Sequence, residues 1–318
     1  MAQRILLVGG TGFVGAPLAR QLADAGHDVT AFHRGRLTPA LPAAVTHVVD
    51  PDAPFPLVRF PDALRHASFD AVVHMIAFGE ADATAAVDAF RGRAGRLVIA
   101  SSGDVYAAYG VLIGLEPPRD LPTRCDEDAP LRSVLYPYGR VTPSPWGELR
   151  DYEKILAERA AAAADLPATI VRLPKVYGPG DRAATFGELI GPMRAGADRI
   201  VLGEAEAAWR WTHGYVDDVA AALAVAATHP AAAGRVYNAG EAETPTVRER
   251  AEALAGVLGW TGSIATVPDD ELPPPRALGR PRPDLVCPSD RLRAELGLAD
   301  DTPLEIALAR TAAAAAPQ

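Results

Sequence analysis

The segment ILLVGGTGFVG at residues 5–15 joins a short apolar run to a turn in which Gly9, Gly12 and Gly15 recur at every third position. Helix-forming residues follow at 16–25, so the segment predicts a strand, a tight turn and a helix in that order. In such a unit the first glycine permits the turn, the second lets the backbone approach a pyrophosphate, and the third lets the helix pack closely on the sheet. We therefore expect the turn to hold the pyrophosphate of NAD(P); a glycine turn without a ligand is the alternative.

Beyond this unit, short β-branched apolar runs alternate with helix-like or loop segments over the first 175 residues. This alternation is typical of a parallel sheet covered by helices. The predicted strands are 5–8, 29–32, 45–49, 71–76, 97–100 and 169–173, and the clearest predicted helices are 16–25, 82–90 and 148–164. The sequence thus predicts the α/β class, with a Rossmann-type doubly wound parallel sheet and a smaller C-terminal substrate-binding domain.

The two predicted domains interleave along the chain. Residues 1–178, with 208–240 returning to them, would form the NAD(P)-binding domain. Residues 179–207 and 241–318, where helical pieces are separated by proline-rich stretches, would form a substrate-binding lid.

Charge and cysteine content narrow the class of protein. The net charge of −9 and the lack of a long run of Lys and Arg argue against a nucleic-acid partner. Cys125 and Cys287 lie far apart in the sequence and in no metal-ligand spacing, so we expect neither a disulfide framework nor a metal site. The longest apolar run, 219–227, is half a membrane span. We expect a cytoplasmic protein with a small-molecule substrate and no membrane partner.

The end of the second predicted strand bears on which dinucleotide binds. A binder of NAD usually places an acidic residue there to grip the ribose 2′-hydroxyl, whereas this chain has Arg34 and Arg36. Guanidinium groups suit a 2′-phosphate, so NADP is favoured over NAD; two solvated loop arginines are the alternative. Asp50, at the end of the third strand, would accept a hydrogen bond from the adenine amino group or serve as a plain turn residue before Pro51.

Together with the glycine turn, six further segments carry a family resemblance. They are 72–77, 101–106, 126–130, 172–181, 215–220 and 290–298. In this order they resemble the extended short-chain dehydrogenase/reductase superfamily, in its NAD-dependent epimerase/dehydratase branch. The resemblance covers nearly the whole chain. By resemblance alone, a homodimer is also expected.

The resemblance implies an active site of Ser, Tyr and Lys, in which Tyr is the acid or base, Lys bonds the nicotinamide ribose and Ser polarises a carbonyl. It places Ser102 and Lys154 in two of these roles; a capped strand end and a solvated helix lysine are the respective alternatives. It also implies that Asp104 contacts the substrate. The cofactor contacts it implies are Gly9, Thr11, Gly12, Phe13, Val14, Gly15, Ala77, Lys154, Pro174 and Val176.

The tyrosine is where the chain departs from the family, which has YxxxK. Arg150 stands four residues before Lys154, and Tyr152, only two before it, would point about 200° away on a helix. Tyr138 opens a second partial match, with Thr142 in place of lysine, as if an insertion of about a dozen residues split the motif. Tyr138 would fold back to Lys154, or no tyrosine would act, or the fold would bind a dinucleotide without redox chemistry.

A second departure is the short stretch 77–97, in which one helical excursion of the family is missing. On the substrate side, the aromatic segment 209–215 offers Trp211 and His213 to a ring-bearing or bulky substrate; a plain aromatic core is the alternative. His74 is expected to be a buried, hydrogen-bonded histidine on the fourth strand.

These features predict an NADP-preferring oxidoreductase or epimerase/dehydratase. It would transfer hydride between nicotinamide and a carbonyl or alcohol carbon of a small or medium organic substrate, such as a sugar or natural-product intermediate. The alternatives are a non-catalytic dinucleotide-binding sensor or scaffold, and an RNA-binding relative of the same fold, against which the net charge counts.

Overall fold

The computed structural model describes residues 1–37, 39–139, 149–272, 282–299 and 301–315. Its centre is a parallel sheet of seven strands in the order β10-β6-β5-β4-β1-β2-β3. The strands are β1 (Arg4–Val8), β2 (Asp28–His33), β3 (Thr46–Val49), β4 (Ala71–His74), β5 (Leu97–Ser102), β6 (Ala168–Leu173), β7 (Lys175–Tyr177), β8 (Arg199–Gly203), β9 (His213–Tyr215), β10 (Val236–Asn238) and β11 (Ser263–Val267). Strands β7 and β9 form one two-stranded parallel pair, and β8 and β11 form another.

Helices connect and cover these strands. They are α1 (Gly15–Asp24), α2 (Asp62–Arg65), α3 (Glu80–Phe90), α4 (Ala107–Leu112), α5 (Lys154–Ala162), α6 (Gly187–Arg194), α7 (Glu204–Ala208), α8 (Val216–Thr228), α9 (Val247–Leu258), α10 (Asp290–Leu296) and α11 (Leu304–Ala314). Between β4 and β5 the chain forms the single helix α3, in agreement with the missing helical excursion. Of the helices in the described part of the chain, none has the length and apolarity to cross a membrane.

Both faces of the central sheet are buried, which explains why its strands are apolar without alternation. In β1, Ile5 and Leu7 face the core under α1 and α8, whereas Leu6 and Val8 face the core that contains Phe90 of α3. This two-sided burial confirms the predicted Rossmann-type α/β class.

A separate apolar core lies in the C-terminal part of the chain, between α6, α9, α11 and β8. Its buried members include Ile190, Leu202, Leu254 and Leu308. Leu292 and Leu296 of α10, in contrast, pack in the core of the central sheet. The division into a dinucleotide domain and a lid stays a prediction.

One predicted helix boundary is wrong. The sequence predicts a helix over 148–164, but α5 begins at Lys154. Glu153 ends the preceding loop, because its carboxylate accepts the N–H of Ile155 and so caps the helix. Residues 140–148, which include Thr142 and most of the predicted insertion, lie outside the described residues.

Candidate active site

The glycine turn follows β1 and leads into α1 at the carboxyl end of the sheet. Gly9 has a φ of +89° and donates its N–H to Phe32 O at 2.9 Å. A Cβ on Gly15 would lie 2.4 Å from Gly9 O and 2.9 Å from Gly10 Cα, so a side chain cannot fit there without movement of the backbone. The turn therefore has the backbone form that the sequence pattern predicts for a pyrophosphate site. Thr11 is buried in it, and Phe13 and Val14 are partly buried against the C-terminal core.

A cavity of about 160 Å³ opens beside this turn, and its lining includes Gly9, Gly12, Arg34 and Arg36. The Arg34 guanidinium lies 6.0 Å from the centre of the Phe55 ring. Burial, followed by repulsion from Arg36, lowers the pKa of Arg34. Among the described residues neither arginine forms an ion pair with a carboxylate. Two cationic side chains therefore face the cavity with their charge unmatched, which favours an anionic group in it.

Asp50 has a local structural role. Its Oδ1 accepts the N–H of Asp52 at 3.1 Å, and its own N–H donates to His33 O. This is the hydrogen-bonding pattern of a turn. A contact of Asp50 with adenine stays a prediction.

Lys154 is buried at the start of α5. Its Nζ donates to Ala77 O at 2.8 Å and to Ala100 O at 2.7 Å, and lies 4.8 Å from the centre of the Phe78 ring. Burial lowers the pKa of Lys154 to about 8, against the opposing charge of Asp104. A solvated helix lysine is thus excluded. Three other predicted cofactor contacts lie at different places in the fold. Ala77 O accepts the hydrogen bond from Lys154, Pro174 follows β6, and Val176 lies in β7.

Tyr152 reaches the same site, contrary to the expectation that it points away. The rule of about 100° per residue does not apply to it, since Tyr152 precedes the first residue of α5. Its hydroxyl donates to Asp104 Oδ2 at 2.8 Å, and the nearby Ser102 side chain opposes the rise of the Tyr152 pKa. Ser102, at the end of β5, also accepts the N–H of Asp104 at 3.2 Å. The Ser102 and Tyr152 hydroxyls are therefore neighbours.

Tyr138 does fold back to the site, although not onto Lys154. Its hydroxyl donates to Asp104 Oδ2 at 3.1 Å and shares a hydrogen bond of 2.8 Å with the Tyr109 hydroxyl. The Tyr138 and Tyr152 rings pack edge to face, with centroids 5.1 Å apart. Two tyrosines thus occupy the region where the family has one.

Burial dominates the electrostatics of this cluster. It raises the pKa of Asp104, against the hydrogen bond from Tyr152 and the charge of Arg132. It also raises the pKa of Tyr152 and of Tyr138 well above their usual range, and the Asp104 charge adds to both shifts. Both tyrosine hydroxyls are therefore neutral at physiological pH, and the carboxyl group of Asp104 keeps its proton to a higher pH than an exposed aspartate does.

Comparison with known proteins agrees with this geometry. The model of the NAD-dependent epimerase/dehydratase family matches residues 5–240. The chain belongs to this family. The match confirms the resemblance and supports a dinucleotide cofactor for this epimerase/dehydratase family member.

Two curated relatives align with most of the chain. UDP-N-acetyl-alpha-D-glucosaminuronate decarboxylase of Bacillus cytotoxicus is 26% identical over 292 residues, which cover 86% of each protein. 2-Alkyl-3-oxoalkanoate reductase of Stenotrophomonas maltophilia is 29% identical over 275 residues, which cover 80% of this chain and 76% of the relative. The relatives are enzymes, which supports a broad oxidoreductase or epimerase role for this family member.

Solved structures of similar fold cover almost the whole chain. The Bordetella bronchiseptica enzyme WbmH, solved with NAD+, superposes with a TM-score of 0.68 at 16% identity, covering 99% of this chain and 98% of that one. UDP-glucose 4-epimerase of Thermotoga maritima, solved with UDP-glucose, has the same TM-score at 18% identity and covers 98% of both chains. These likenesses show that the family member shares their fold.

Trp211 and His213, the two predicted substrate contacts in the aromatic segment, line a cavity of about 940 Å³. His213 Nδ1 lies 2.7 Å from Trp211 O, and burial, followed by the charge of Arg250, lowers the pKa of His213 well below its usual value. His213 is therefore neutral at physiological pH. Arg250, also in the lining, is paired with Glu241.

Sequence reasoning missed a buried ion pair that positions the tyrosine and aspartate side chains. Arg132 donates to Glu153 Oε1 at 3.1 Å and also to Asp104 O. Glu153 in turn caps α5 and accepts the N–H of Tyr136 at 2.6 Å. The pair ties the loop after β5, the loop around Tyr136 and the start of α5 to one another. An acidic residue immediately before the helix is a capping signal that would have pointed to Glu153.

Asp82 organises the other side of Lys154. It accepts backbone N–H groups of Leu57 at 2.6 Å, Phe78 at 3.2 Å and Gly79 at 3.0 Å. Phe78 packs against both Lys154 and Tyr152. Asp82 therefore holds in place the ring beside the lysine.

His74 is buried, as expected, but it is not hydrogen-bonded. Neither ring nitrogen has a hydrogen-bond partner among the described residues. Burial and the nearby charge of Lys154 lower the pKa of His74 to about 3, so it is a neutral ring. The expectation of a hydrogen-bonded histidine is wrong, because its surroundings, including Phe60, are apolar.

The two cysteines, distant in sequence, are neighbours in space. Cys125 donates its N–H to Val286 O at 2.7 Å, both cysteines belong to the same buried apolar cluster, and the Cys287 thiol lowers the pKa of Cys125. Both are free and buried. Sequence distance was thus a poor guide to their separation. In the described part of the chain, His, Cys, Asp and Glu form no group of three suited to a metal.

Proposed function

We propose that this protein is an NADP-preferring oxidoreductase. It transfers hydride between nicotinamide and a carbonyl or alcohol carbon of a small or medium organic substrate, such as a sugar or natural-product intermediate. The observation that carries the proposal is that the Ser102 and Tyr152 hydroxyls both hydrogen-bond to Asp104, beside buried Lys154, at the same sheet edge as the glycine turn. Crevices at the carboxyl ends of parallel strands are where this architecture binds its ligands.

The residues of the site would share the work as follows. The nicotinamide, when bound, supplies or accepts the hydride. Ser102 would hold the substrate oxygen by a hydrogen bond and polarise its bond to carbon, while Tyr152, whose O–H donates to Asp104, would lie beside it. Lys154, fixed by Ala77 O and Ala100 O, would position the ribose of the cofactor.

Preference for NADP is supported by the two arginines at the end of β2. Arg34 and Arg36 line the cavity beside the glycine turn, and no described carboxylate pairs with them. An NAD-type acidic residue at this place would repel a 2′-phosphate, whereas a guanidinium group can bind it through two hydrogen bonds. The cavity of about 940 Å³ lined by Trp211 and His213 would receive the bulk of the substrate.

The test is a titration with NADPH and NADH, followed through nicotinamide fluorescence. We expect tighter binding of NADPH, and we expect Arg34→Asp to weaken NADPH binding by roughly tenfold to 100-fold, the range for loss of a charge-assisted contact of about 1.5–3 kcal/mol. Arg65→Asp is the control, since this exposed arginine pairs with Asp62 outside the lining of the cavity.

Three results would count against the proposal. Equal affinities for the two dinucleotides would remove the NADP preference. The absence of binding at millimolar concentrations would remove the dinucleotide role altogether. Binding without oxidation of NADPH by any carbonyl compound in a broad screen would favour a sensor.

A further inference from the structure

Two tyrosines of this site donate to one carboxyl group, and a third tyrosine hydrogen-bonds to one of them. The hydroxyls of Tyr152 and Tyr138 both donate to Oδ2 of Asp104, and Tyr109 extends the group through the Tyr138 hydroxyl. Asp104 is 6% exposed. All the described hydrogen bonds to its carboxyl group therefore fall on one of its two oxygens.

The other oxygen, Oδ1, is buried and has no hydrogen-bond partner among the described residues. An ionised carboxylate in this position would carry charge on an oxygen that no described donor stabilises, which is unfavourable. A proton on Oδ1 removes that charge and creates an O–H donor for which the described residues offer no acceptor. Such a donor suits a substrate oxygen.

The charged groups around Asp104 come from two elements. Arg132, from the loop before Tyr136, and Lys154, from the start of α5, both favour the ionised carboxylate, as do the hydrogen bonds from the two tyrosines. Burial acts in the opposite direction and is the largest influence, so the pKa of Asp104 is raised. Burial also makes Tyr152 and Tyr138 weaker acids than usual, because it raises the pKa of both. The carboxyl group is therefore the most acidic of the three groups.

We propose that Asp104 is the catalytic acid of this site and replaces the tyrosine of the family's YxxxK motif. This inference rests on the proposed function. In the reductive direction a hydride forms the new C–H bond at the carbonyl carbon, while the O–H bond at Asp104 Oδ1 breaks and a new O–H bond forms on the substrate oxygen. The negative charge left on Asp104 is stabilised by the two tyrosine hydroxyls that already donate to Oδ2. In the oxidative direction the carboxylate takes the proton back.

The proposal makes the tyrosines positioning residues for Asp104. Tyr152→Phe removes one donor to Oδ2, destabilises the carboxylate and so moves the pKa of Asp104 upward. Asp104→Asn keeps the shape of the side chain but removes the acidic proton. The two variants therefore affect the pH profile differently.

The experiment measures kcat/KM for NADPH-dependent reduction against pH, together with the affinity for NADPH. In the natural protein we expect activity to fall as pH rises through the pKa of Asp104, since the protonated form is the active one. Asp104→Asn should lower kcat/KM by about 10²–10⁴, the usual share of a general acid, should lack that descending limb and should bind NADPH normally. Tyr152→Phe and Tyr138→Phe should lower kcat/KM by about tenfold, the effect of one lost hydrogen bond of roughly 1.4 kcal/mol, and should move the limb to higher pH.

Tyr237→Phe is the matched control, because the Tyr237 hydroxyl also donates to a carboxylate, that of Glu295, outside this site. It should leave the profile unchanged. Infrared difference spectra at neutral pH provide a readout that does not need turnover. The C=O band of a protonated carboxylic acid should shift in Tyr152→Phe and Tyr138→Phe and stay in place in Tyr237→Phe.

Several outcomes would overturn the proposal. Wild-type turnover and an unchanged limb in Asp104→Asn would rule out the role of Asp104. Loss of activity in Tyr152→Phe as large as in Asp104→Asn, with the limb unmoved, would make Tyr152 the acid. A carboxylic acid C=O band at the same frequency in the natural protein, Tyr152→Phe and Tyr138→Phe would also contradict the proposal. If the natural protein binds no dinucleotide, it is the proposed function that fails, and the infrared result still decides whether Asp104 is protonated.

Discussion

The glycine turn and the Asp104 cluster lie at the same edge of the sheet but are built in opposite ways. The turn is local, because Gly9, Gly12 and Gly15 fall within seven residues, the Gly12 N–H donates to Gly9 O, and Gly15 packs against the same carbonyl. The cluster brings together Ser102 with Asp104, Tyr138 and Tyr152 from three separate segments. Backbone sterics shape the first, whereas buried hydrogen bonds and an ion pair hold the second.

This difference teaches where a family motif tolerates change. In the glycine turn, a Cβ at position 15 would lie 2.4 Å from Gly9 O, so no residue larger than glycine fits there without movement of the backbone. A cluster assembled through space needs only that its groups arrive at the same point, so a tyrosine two residues before the lysine can enter it once the helix starts later. The motif YxxxK is lost, yet a hydroxyl beside Ser102 is kept.

The largest expected effect is on the support of the cluster. Glu153→Ala leaves Arg132 buried without its partner and removes the cap of α5, so we expect the free energy of unfolding to fall by about 3–5 kcal/mol, as for other broken buried pairs. Glu252→Ala, which breaks an exposed i,i+4 pair with Arg248, should change it by less than about 0.5 kcal/mol. Urea denaturation measures both. Equal small losses in the two variants would mean that the ion pair does not hold the cluster.

A second, smaller effect is expected in the turn itself. Gly15→Ala forces a backbone shift, and overpacking of this kind costs about 1–3 kcal/mol, or roughly fivefold to 100-fold in dinucleotide affinity if the shift falls on the bound state. Gly256→Ala is the control, because Gly256 lies at an exposed position of α9 and an added Cβ would meet nothing within 4 Å. Replacement of a helical glycine by alanine should raise the free energy of unfolding by about 0.5–1 kcal/mol. Fluorescence titration with NADPH, beside thermal unfolding, separates the two variants. Unchanged affinity in Gly15→Ala would break the comparison, since the turn would then tolerate a side chain.

The smallest effect concerns Asp50, on the border of the turn region. If it serves only the turn that its Oδ1 makes with the Asp52 N–H, Asp50→Asn keeps that hydrogen bond and should change NADPH affinity by less than about twofold, or about 0.4 kcal/mol. A loss of tenfold or more would instead support a contact with adenine. The measurement is the same titration, with the natural protein as its reference.

Much of the fold was predictable because its signals are local. Apolar runs such as that of β1 predicted the strands, and the spacing of Gly9, Gly12 and Gly15 predicted the turn. Together they predicted the α/β class, which the seven-stranded parallel sheet confirms. The start of α5 was not predictable from helix propensity. Glu153 sets it by capping, and propensity alone extended the helix back to residue 148.

The candidate site was predictable only in part. Ser102, Lys154 and Tyr138 were predicted as catalytic residues, and all three lie near Asp104 in the folded site, but their catalytic roles stay predictions. Tyr152 was judged by a helical angle that does not apply to it. Arg132 gave no local signal, since its partner Glu153 is reached only through the fold. The proximity of Cys125 and Cys287 depends in the same way on pairing of distant segments.

The sequence by itself predicted the parallel sheet, the glycine turn and the cationic end of β2, because the signal for each lies in residues that are adjacent along the chain. Only the tertiary structure decided that Tyr152, Tyr138 and Asp104 share one buried hydrogen-bonded cluster and that Asp104 Oδ1 is left without a partner among the described residues. The physical reason is burial. Burial raises the pKa of Asp104 and leaves its Oδ1 without a described donor. Burial depends on how distant segments pack, so the spacing of residues in the sequence does not predict it.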